Sequence, residues 1–333
     1  MEGPANLLRD KHVEYIVQLG KADNTLGFHL TEHLRLNGIY WAVTCLALLK
    51  RIDALDRQQT IDYVYSCWDN KLGGFGSHPN HDSHMLSTLS AIQVLAIHDA
   101  IQESGIDTDK VINYILSLRP KNEGFFTGDE WGESDTRFTY CAVSALSLLG
   151  ALHKLDEKEN GVAIKDRIVD WFKQCMNFDG GFGNNISAET HSGQVFTAVA
   201  ALAILDRLDI IDRDNLSWWL SERQVESGGL NGRPQKLEDV CYSWWVLSGL
   251  SILHRLHWIN KEKLMSFILS SQDPDNGGIA DRPGDVADVY HTLFGVAGLS
   301  MMGYPDLEQV DPVYCMPVKT IERMHLTKSY TLL

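Results

Sequence analysis

Apolar segments with helical spacing recur about every 50 residues along this chain, a period typical of stacked helical pairs. Each unit combines a run rich in Ala, Gly, Ser and Leu with a more amphipathic segment that carries charges on one face. Apolar and polar residues nowhere alternate over a stretch long enough to predict a sheet, so the pattern predicts an all-α fold. The small-residue runs begin at Thr44, Leu89, Ala142, Ala198, Val246 and Gly295.

Five of the amphipathic segments end at turns that contain glycine. Glycine ends a helix because it adopts the left-handed backbone conformation at low cost, and the next apolar residue packs back. Small-residue helices suit a crowded inner ring, and helices with one charged face suit an outer ring. We predict an α/α toroid of six helix-hairpin repeats, although an open solenoid would give much the same pattern. The turns contain Gly73-Gly74, Gly124, Gly180-Gly181, Gly228-Gly229 and Gly277-Gly278.

The length and composition favour one large domain. The chain has 333 residues, 44% of them hydrophobic, which is enough to bury a sizeable core. We therefore expect residues 1–333 to form a single toroid domain. Within it we expect a helical lead-in over residues 1–30, the repeats over 31–303 and a tail over 304–333.

The formal net charge of −15 excludes general affinity for nucleic acid or for an anionic membrane. An anionic ligand must therefore be held by a local basic patch. The six cysteines include no CxxC pair, and no segment resembles a signal peptide or a membrane span. We expect a cytoplasmic protein with reduced cysteines and no membrane insertion.

Polar residues open the small-residue helices at equivalent positions. Capping of the helix N-terminus accounts for Asp82 and Asp135 as well as any function does. It does not account for the arginine, histidine and cysteine residues. In a closed ring the N-termini of the inner helices share one end, where helix dipoles and cations favour an anion such as diphosphate. The openings contain Arg35, Asn37, His84, Arg137, His191, Asp239, Cys241, Tyr242, Asp288 and His291.

Asp239, Cys241 and His291 offer one oxygen, one sulfur and one nitrogen ligand from adjacent units. Three protein ligands with a free fourth position are typical of catalytic zinc. Taken singly, a capping Asp, a core Cys and a lone His are more often structural. Their shared register favours a zinc site that binds and deprotonates an incoming thiol.

A basic turn, Gly228 to Lys236, precedes the predicted metal ligands. A surface loop with two basic residues, Arg233 and Lys236, is common. Here it lies next to the metal candidate, and with His191 and Tyr242 it could hold the oxygens of a diphosphate through charge-assisted hydrogen bonds.

Three segments resemble the β subunits of protein prenyltransferases. They are GLNGRPQKLEDVCYSWW from Gly229, DRPGDVADVYHTLFG from Asp281 and CMNFDGGFG from Cys175. The segment HDSHMLSTLSA from His81 and the CMP at Cys315 are similar to the Rab (type II) geranylgeranyltransferase β subunits in particular. The resemblance spans nearly the whole chain.

The resemblance implies the role of each candidate residue. Asp239, Cys241 and His291 would hold one zinc ion, and Asp281 would assist a magnesium ion on the diphosphate. It also implies an obligate heterodimer, because the family's α subunit supplies a further lysine to the diphosphate. Catalytic roles fall on His191, Arg233, Lys236 and Tyr242. The diphosphate and isoprenoid sites would further include Asn37, Leu89, Arg137, Ser192, Gly193, Pro234, Gln235, Ser243, Trp244 and Trp245.

Two positions bear on the length of the isoprenoid. Farnesyltransferase closes its pocket floor with a Trp and a Tyr, and Asn37 and Leu89 stand at the matching positions. Smaller side chains leave a deeper pocket, which favours geranylgeranyl diphosphate. Asn37 departs from the smaller hydroxyl residue of the geranylgeranyl enzymes. Trp41 and Phe294 would join the tryptophans in an aromatic lining, which is equally typical of an ordinary core.

The expected reaction is displacement at C1 of geranylgeranyl diphosphate by a zinc-bound thiolate of a substrate protein. By the resemblance, the substrates would be Rab GTPases presented by a Rab escort protein, modified at C-terminal cysteines. A farnesyltransferase or type I geranylgeranyltransferase β subunit is the alternative, because it shares the catalytic residues. A terpene cyclase needs a DxDD proton donor, and a thioester-type toroid needs CGEQ; the sequence contains neither. A non-catalytic toroid scaffold would predict no metal.

Overall fold

The computed structural model describes residues 6–21, 25–103 and 105–328, which are mainly helical. Two short hairpins pair β1 (Lys158–Glu159) with β2 (Val162–Ala163) and β3 (Val310–Asp311) with β4 (Met316–Pro317). The helices are α1 (Arg9–Leu19), α2 (Leu26–Leu30), α3 (Arg35–Leu48), α4 (Arg57–Ser66), α5 (Met85–Ile97), α6 (Thr108–Ser117), α7 (Thr136–Leu148), α8 (Ile164–Cys175), α9 (Ser192–Ile204), α10 (Arg213–Ser221), α11 (Tyr242–Ile252), α12 (Lys261–Ser270), α13 (Val289–Met301) and α14 (Val318–Arg323).

The small-residue helices form a closed inner ring. In the described residues α3, α5, α7, α9, α11 and α13 pack side by side in that order, and α13 packs back against α3. Small residues allow this crowding: a Cβ atom on Gly298 of α13 would lie 2.8 Å from the Cβ atom of Ser243 on α11. The predicted α/α toroid is confirmed, and the contact between α13 and α3 excludes the open solenoid.

The glycine turns connect each unit to the next outer helix. A Cβ atom on Gly73 would collide with the backbone of Lys110 in α6, and one on Gly228 with that of Lys263 in α12. A Cβ atom on Gly277, in the last turn, would likewise collide with the backbone of Lys11 in α1. The lead-in helix α1 thus takes the sixth outer position beside α4, α6, α8, α10 and α12, and the outer ring closes through the N-terminal segment.

The buried side chain of His12 fixes α1 in this position. Its Nδ1 atom accepts a hydrogen bond from the N–H of Gly278 at 2.9 Å, and its Nε2 atom donates to Oε1 of Gln272 at 2.9 Å. Burial lowers the pKa of His12 to about 4, so the ring is neutral near pH 7. Both ring nitrogens are satisfied, which joins the first element of the chain to the last repeat.

The hairpin β3–β4 enters the ring from the C-terminal ends of the inner helices. Tyr40 on α3 donates its hydroxyl to the carbonyl of Cys315 at 2.9 Å, and Tyr140 on α7 donates to that of Val313 at 2.6 Å. Gln93 on α5 donates to the carbonyl of Tyr314 at 2.9 Å. The segment closes this end, so ligands reach the ring interior from the end where the inner helices begin.

Within the described ranges, none of the helices has both the length and the apolar character needed to cross a bilayer.

Candidate metal centre and anion-binding cleft

Side chains at the starts of the inner helices act as N-caps. Nδ1 of His84 and Nδ1 of His191 each accept the backbone N–H two residues ahead at 3.1 Å. The expectation that capping does not account for these histidines is therefore wrong, because an imidazole nitrogen accepts as a carboxylate oxygen does. The capping bond also fixes the tautomer, since the neutral ring then carries its proton on Nε2.

Asp239, Cys241 and His291 converge where the loop before α11 meets the start of α13. Their carboxylate, sulfur and imidazole atoms lie within 4.8 Å of one another. Nε2 of His291 lies 3.2 Å from Oδ1 of Asp239, which also accepts the N–H of Cys241 at 2.7 Å. The structure thus brings together the three predicted ligands, and their oxygen, sulfur and nitrogen donors fit a divalent metal.

Asp288 orients the imidazole of His291 from the side opposite Asp239. Nδ1 of His291 donates to Oδ2 of Asp288 at 2.6 Å, an arrangement common behind metal-binding histidines. Burial would lower the pKa of His291, but its hydrogen bonds to the two carboxylates outweigh burial and raise it to about 12. The cluster favours positive charge, which a divalent cation would supply in place of the proton. From the sequence, Asp288 is predicted only as a helix opening, although its position three residues before His291 is a signal for this role.

A cleft of about 460 Å³ opens beside the cluster, between the starts of α9 and α11. Asp239 belongs both to the cluster and to the wall of the cleft, so the two are continuous. The predicted basic turn lies along one side. The cleft is lined by His191, Gly232, Arg233, Gln235, Lys236, Leu237, Asp239, Tyr242 and Arg282.

His191 and Tyr242 form a pair of neutral donors in the cleft. Nε2 of His191 lies 3.1 Å from the Tyr242 hydroxyl, and because Nδ1 is the capping acceptor, Nε2 donates. The Tyr242 O–H can then donate to a ligand. Burial lowers the pKa of His191 and raises the pKa of Tyr242 to about 12, which keeps both groups neutral near pH 7.

Three cations line the cleft. Arg233 forms an ion pair with Glu189, whereas the Lys236 ammonium forms no ion pair within the described part of the chain. Arg282 pairs with Asp281 at 2.9 Å. Arg282 directly follows Asp281, the predicted magnesium residue, but lies outside the repeat register, so the repeat pattern does not predict it.

The remaining predicted residues lie at different depths around the cleft. Ser192 is fully buried and donates to the carbonyl of Gly232 at 3.0 Å, which ties α9 to the basic loop. Ser243 and Trp244 are fully buried in the packing of the ring, whereas Trp245 is half-buried. Arg137 lies outside the cleft and pairs with Asp135 at 3.0 Å. Gly193 lies two residues after His191, and Pro234 directly follows Arg233.

Aromatic rings form a continuous chain of contacts across the inner helices. Successive ring centroids lie 5.1 Å apart for Trp41 and Tyr290, 4.7 Å for Tyr290 and Phe294, 4.8 Å for Phe294 and Trp245, and 5.2 Å for Trp245 and Phe196. Trp41, Tyr290 and Trp245 are only half-buried. The chain links α3 on one side of the ring to α9 on the other.

Asn37 and Leu89 lie opposite the cleft. In the ring order, α3 faces α9 and α5 faces α11, so these residues stand across the ring from His191 and Tyr242. Leu89 is buried, whereas Asn37 is half-buried and lines a second, polar cleft of about 580 Å³ at the edge between α3 and α5. A Cβ atom on neighbouring Gly38 would meet no atom within 4 Å, so α3 borders open space here.

The closed double ring, with a three-ligand cluster beside a cationic cleft, defines an α/α-toroid protein with a metal-adjacent anion site. Residues 7–316 match the family model described as the prenyltransferase alpha-alpha toroid domain. The chain belongs to the prenyltransferase family.

Relatives agree with this assignment. The chain is 50% identical to the geranylgeranyl transferase type-2 subunit beta of Saccharomyces cerevisiae, covering 95% of this chain and 96% of the relative. It is 47% identical to the type-2 subunit beta 1 of Arabidopsis thaliana, covering 97% of each. The predicted resemblance to type II β subunits is confirmed. Candida albicans protein geranylgeranyltransferase-I complexed with GGPP shares the fold, with a TM-score of 0.82 at 22% identity over 97% of this chain and 100% of that one.

Proposed function

We propose that this chain is the β subunit of a type-2 geranylgeranyltransferase and carries its reaction site. The observation that carries the proposal is the sharing of Asp239 between the three-ligand cluster and the cationic cleft. A thiol held at the cluster and a diphosphate held in the cleft would be neighbours. Transfer of a prenyl group from a diphosphate ester to a thiol needs that arrangement.

The proposed metal is one zinc ion per chain, held by Asp239, Cys241 and His291. Bound there, zinc would supply the Lewis acidity that keeps a substrate thiol deprotonated near neutral pH. The residues of the chain fix the geometry: Asp288 holds the His291 ring, and the backbone N–H of Cys241 holds the Asp239 carboxylate. Asp281 remains our proposed contact for a magnesium ion on the diphosphate.

In the proposed reaction the substrate sulfur forms a bond to C1 of the isoprenoid, the C1–O bond breaks, and the diphosphate leaves with the electron pair. Negative charge grows on the diphosphate oxygens as that bond stretches. In the cleft that would hold the diphosphate, His191 and Tyr242 are neutral hydrogen-bond donors. Positive charge comes from Arg233, Lys236 and Arg282. Groups fixed before the reaction stabilise such charge without reorganising.

We propose that the geranylgeranyl chain spans the ring. Anchored by its diphosphate between α9 and α11, the isoprenoid would run along the aromatic chain towards Asn37 and Leu89 on the opposite wall. Neither side chain is as large as Trp or Tyr, which supports a longer isoprenoid than farnesyl.

Exposed apolar side chains near the open end support an α-subunit partner. Trp131, Phe178, Leu237 and Val286 are 82%, 101%, 69% and 90% exposed. They lie in the four successive loops that lead into α7, α9, α11 and α13. Exposed apolar groups clustered on one face are typical of protein interfaces. We further propose that the thiol donors are Rab GTPases presented by an escort protein. We also propose that the protein is cytoplasmic, which its six free cysteines support.

The test is transfer of labelled geranylgeranyl from its diphosphate to a Rab protein by the chain copurified with an α subunit, with the escort protein present. We expect transfer by the complex, little by the isolated chain, and at least ~10²-fold slower transfer with Tyr242→Phe. Preferred use of farnesyl diphosphate, or full turnover by the chain alone, would overturn the proposal.

A further inference from the structure

A second group of metal-ligating side chains lies away from the cluster at α11 and α13. Glu32 follows α2, and His78 and His81 lie in the loop before α5. Their ligand atoms, one carboxylate oxygen and two imidazole nitrogens, lie within 4.8 Å of one another. This group stands at the edge between α3 and α5, whereas the proposed zinc ligands stand at the edge between α11 and α13.

The backbone holds the two contributing segments together. The N–H of Leu36, at the start of α3, donates to the carbonyl of Ser77 at 2.9 Å, directly before His78. The N–H of His81 donates to the carbonyl of His78 at 3.0 Å, and Asn80 between them adopts φ 68°. The turn therefore places both imidazoles on the same side, towards Glu32.

His29 orients the Glu32 carboxylate. Nδ1 of His29 donates to Oε1 of Glu32 at 3.3 Å, while Oε2 of Glu32 lies 3.8 Å from Nε2 of His81. One oxygen is held from outside the cluster and the other faces the histidines. An outer hydrogen bond of this kind orients a metal-binding carboxylate. The rings of His78 and His81 lie 5.4 Å apart, with an interplanar angle of 44°.

We propose that Glu32, His78 and His81 bind a second divalent ion of the zinc, cobalt or nickel class. Two imidazoles with one carboxylate suit a borderline transition metal rather than calcium or magnesium, which prefer oxygen ligands alone. The bound ion would join the segment after α2 to the loop before α5. His81 also lines the 580 Å³ cleft, together with Asn37, so the ion would stand at the edge of that cleft.

Cobalt distinguishes this site from the proposed zinc site by its spectrum. Of the two clusters in the described residues, the one with Cys241 alone offers a sulfur ligand, so a cobalt ion bound there gives a sulfur-to-cobalt charge-transfer band and one bound at the other does not. We expect metal-free complex of the chain with its α subunit to take up two Co²⁺ ions, one with that band and one with ligand-field absorption alone. Cys241→Ala should remove the band and leave the other ion.

The variants Glu32→Gln and His81→Ala should each lose the second ion and keep the charge-transfer band, which also reports that the fold is intact. His33→Ala is the matched control, because His33 is an exposed neighbour in the same segment and lies outside the cluster. Uptake of one ion by the unmodified complex would overturn the proposal. Equal loss of the second ion in His33→Ala would overturn it as well, by showing unspecific histidine binding. The experiment measures metal uptake alone, so its outcome does not depend on whether the complex transfers a prenyl group.

Discussion

The Tyr242 hydroxyl accepts a hydrogen bond from Nε2 of His191 at 3.1 Å, and Gly232 makes room for that contact. A Cβ atom on Gly232 would lie 2.3 Å from the Tyr242 hydroxyl and 2.6 Å from Nε2 of His191. The basic loop can approach the two donors this closely because residue 232 has no side chain. One backbone position thus controls the shape of the cleft.

Gly232→Ala should therefore separate the paired donors. We expect affinity for geranylgeranyl diphosphate to fall by at least ~10-fold, because the added methyl displaces hydrogen-bond donors aimed at a charged ligand. Equilibrium binding of the labelled diphosphate to the complex measures it. Gly20→Ala, at a position with only ordinary contacts, is the control and should bind normally. Unchanged binding in Gly232→Ala would place the diphosphate elsewhere.

Asp288→Asn should weaken the metal centre without removing a ligand. The carboxylate fixes the His291 ring and favours its metal-binding form, and loss of such a partner typically lowers metal affinity by ~10–100-fold. Competition with a chromophoric chelator measures the dissociation constant. Asp285→Asn, on the exposed loop nearby, is the control. Equal affinities in both variants would show that Asp288 only caps α13.

Asn37→Trp combined with Leu89→Tyr should shorten the isoprenoid path at its far wall. The diphosphate is held on the opposite side of the ring, so a longer chain cannot shift outward without losing those contacts. At ~0.8 kcal/mol for each buried CH₂, the additional isoprene unit contributes enough to move selectivity towards farnesyl by orders of magnitude. Competitive transfer of the two labelled diphosphates measures the ratio. An unchanged ratio with normal metal content would mean that these positions do not form the pocket floor.

His12 should make folding stability depend on pH. Burial lowers its pKa from 6.5 to about 4 in the folded state, so the unfolded chain binds the proton more tightly. This contribution is fully present above pH 6.5 and is lost as pH falls towards 4, with a total of about 3 kcal/mol. Unfolding free energies across that range should show a smaller slope for His12→Gln than for the parent. Substitution of the exposed His257 should leave the slope unchanged; equal slopes in His12→Gln would contradict the account.

The repeat pattern predicted the inner ring because small residues recur in every unit, and the motifs predicted the three metal ligands. The closure of the two helical rings could not be predicted from the repeat pattern. It depends on contacts between α13 and α3 and between Gly277 and Lys11, which lie at opposite ends of the chain. Such contacts leave no local signal in the sequence.

Some site residues were hidden for a similar reason. Arg282 enters the cleft from a loop outside the repeat register, and Glu32 meets His78 and His81 only after two segments pack. The histidine caps have no strong sequence signal, because the residues preferred at N-caps carry side-chain oxygens. These features follow from tertiary packing rather than from local pattern.

If the cluster and the cleft form one reaction site, Cys241→Ala in the α-subunit complex should bind the diphosphate but fail to transfer its prenyl group in a rapid-quench assay. Cys241 does not line the cleft, so the variant should bind geranylgeranyl diphosphate as the parent does. It should lose the metal at this cluster, together with transfer to the Rab thiol. Cys67→Ala, at another buried cysteine, should behave as the parent. Transfer at the parent rate by Cys241→Ala lacking that metal would show that the reaction does not take place at this cluster.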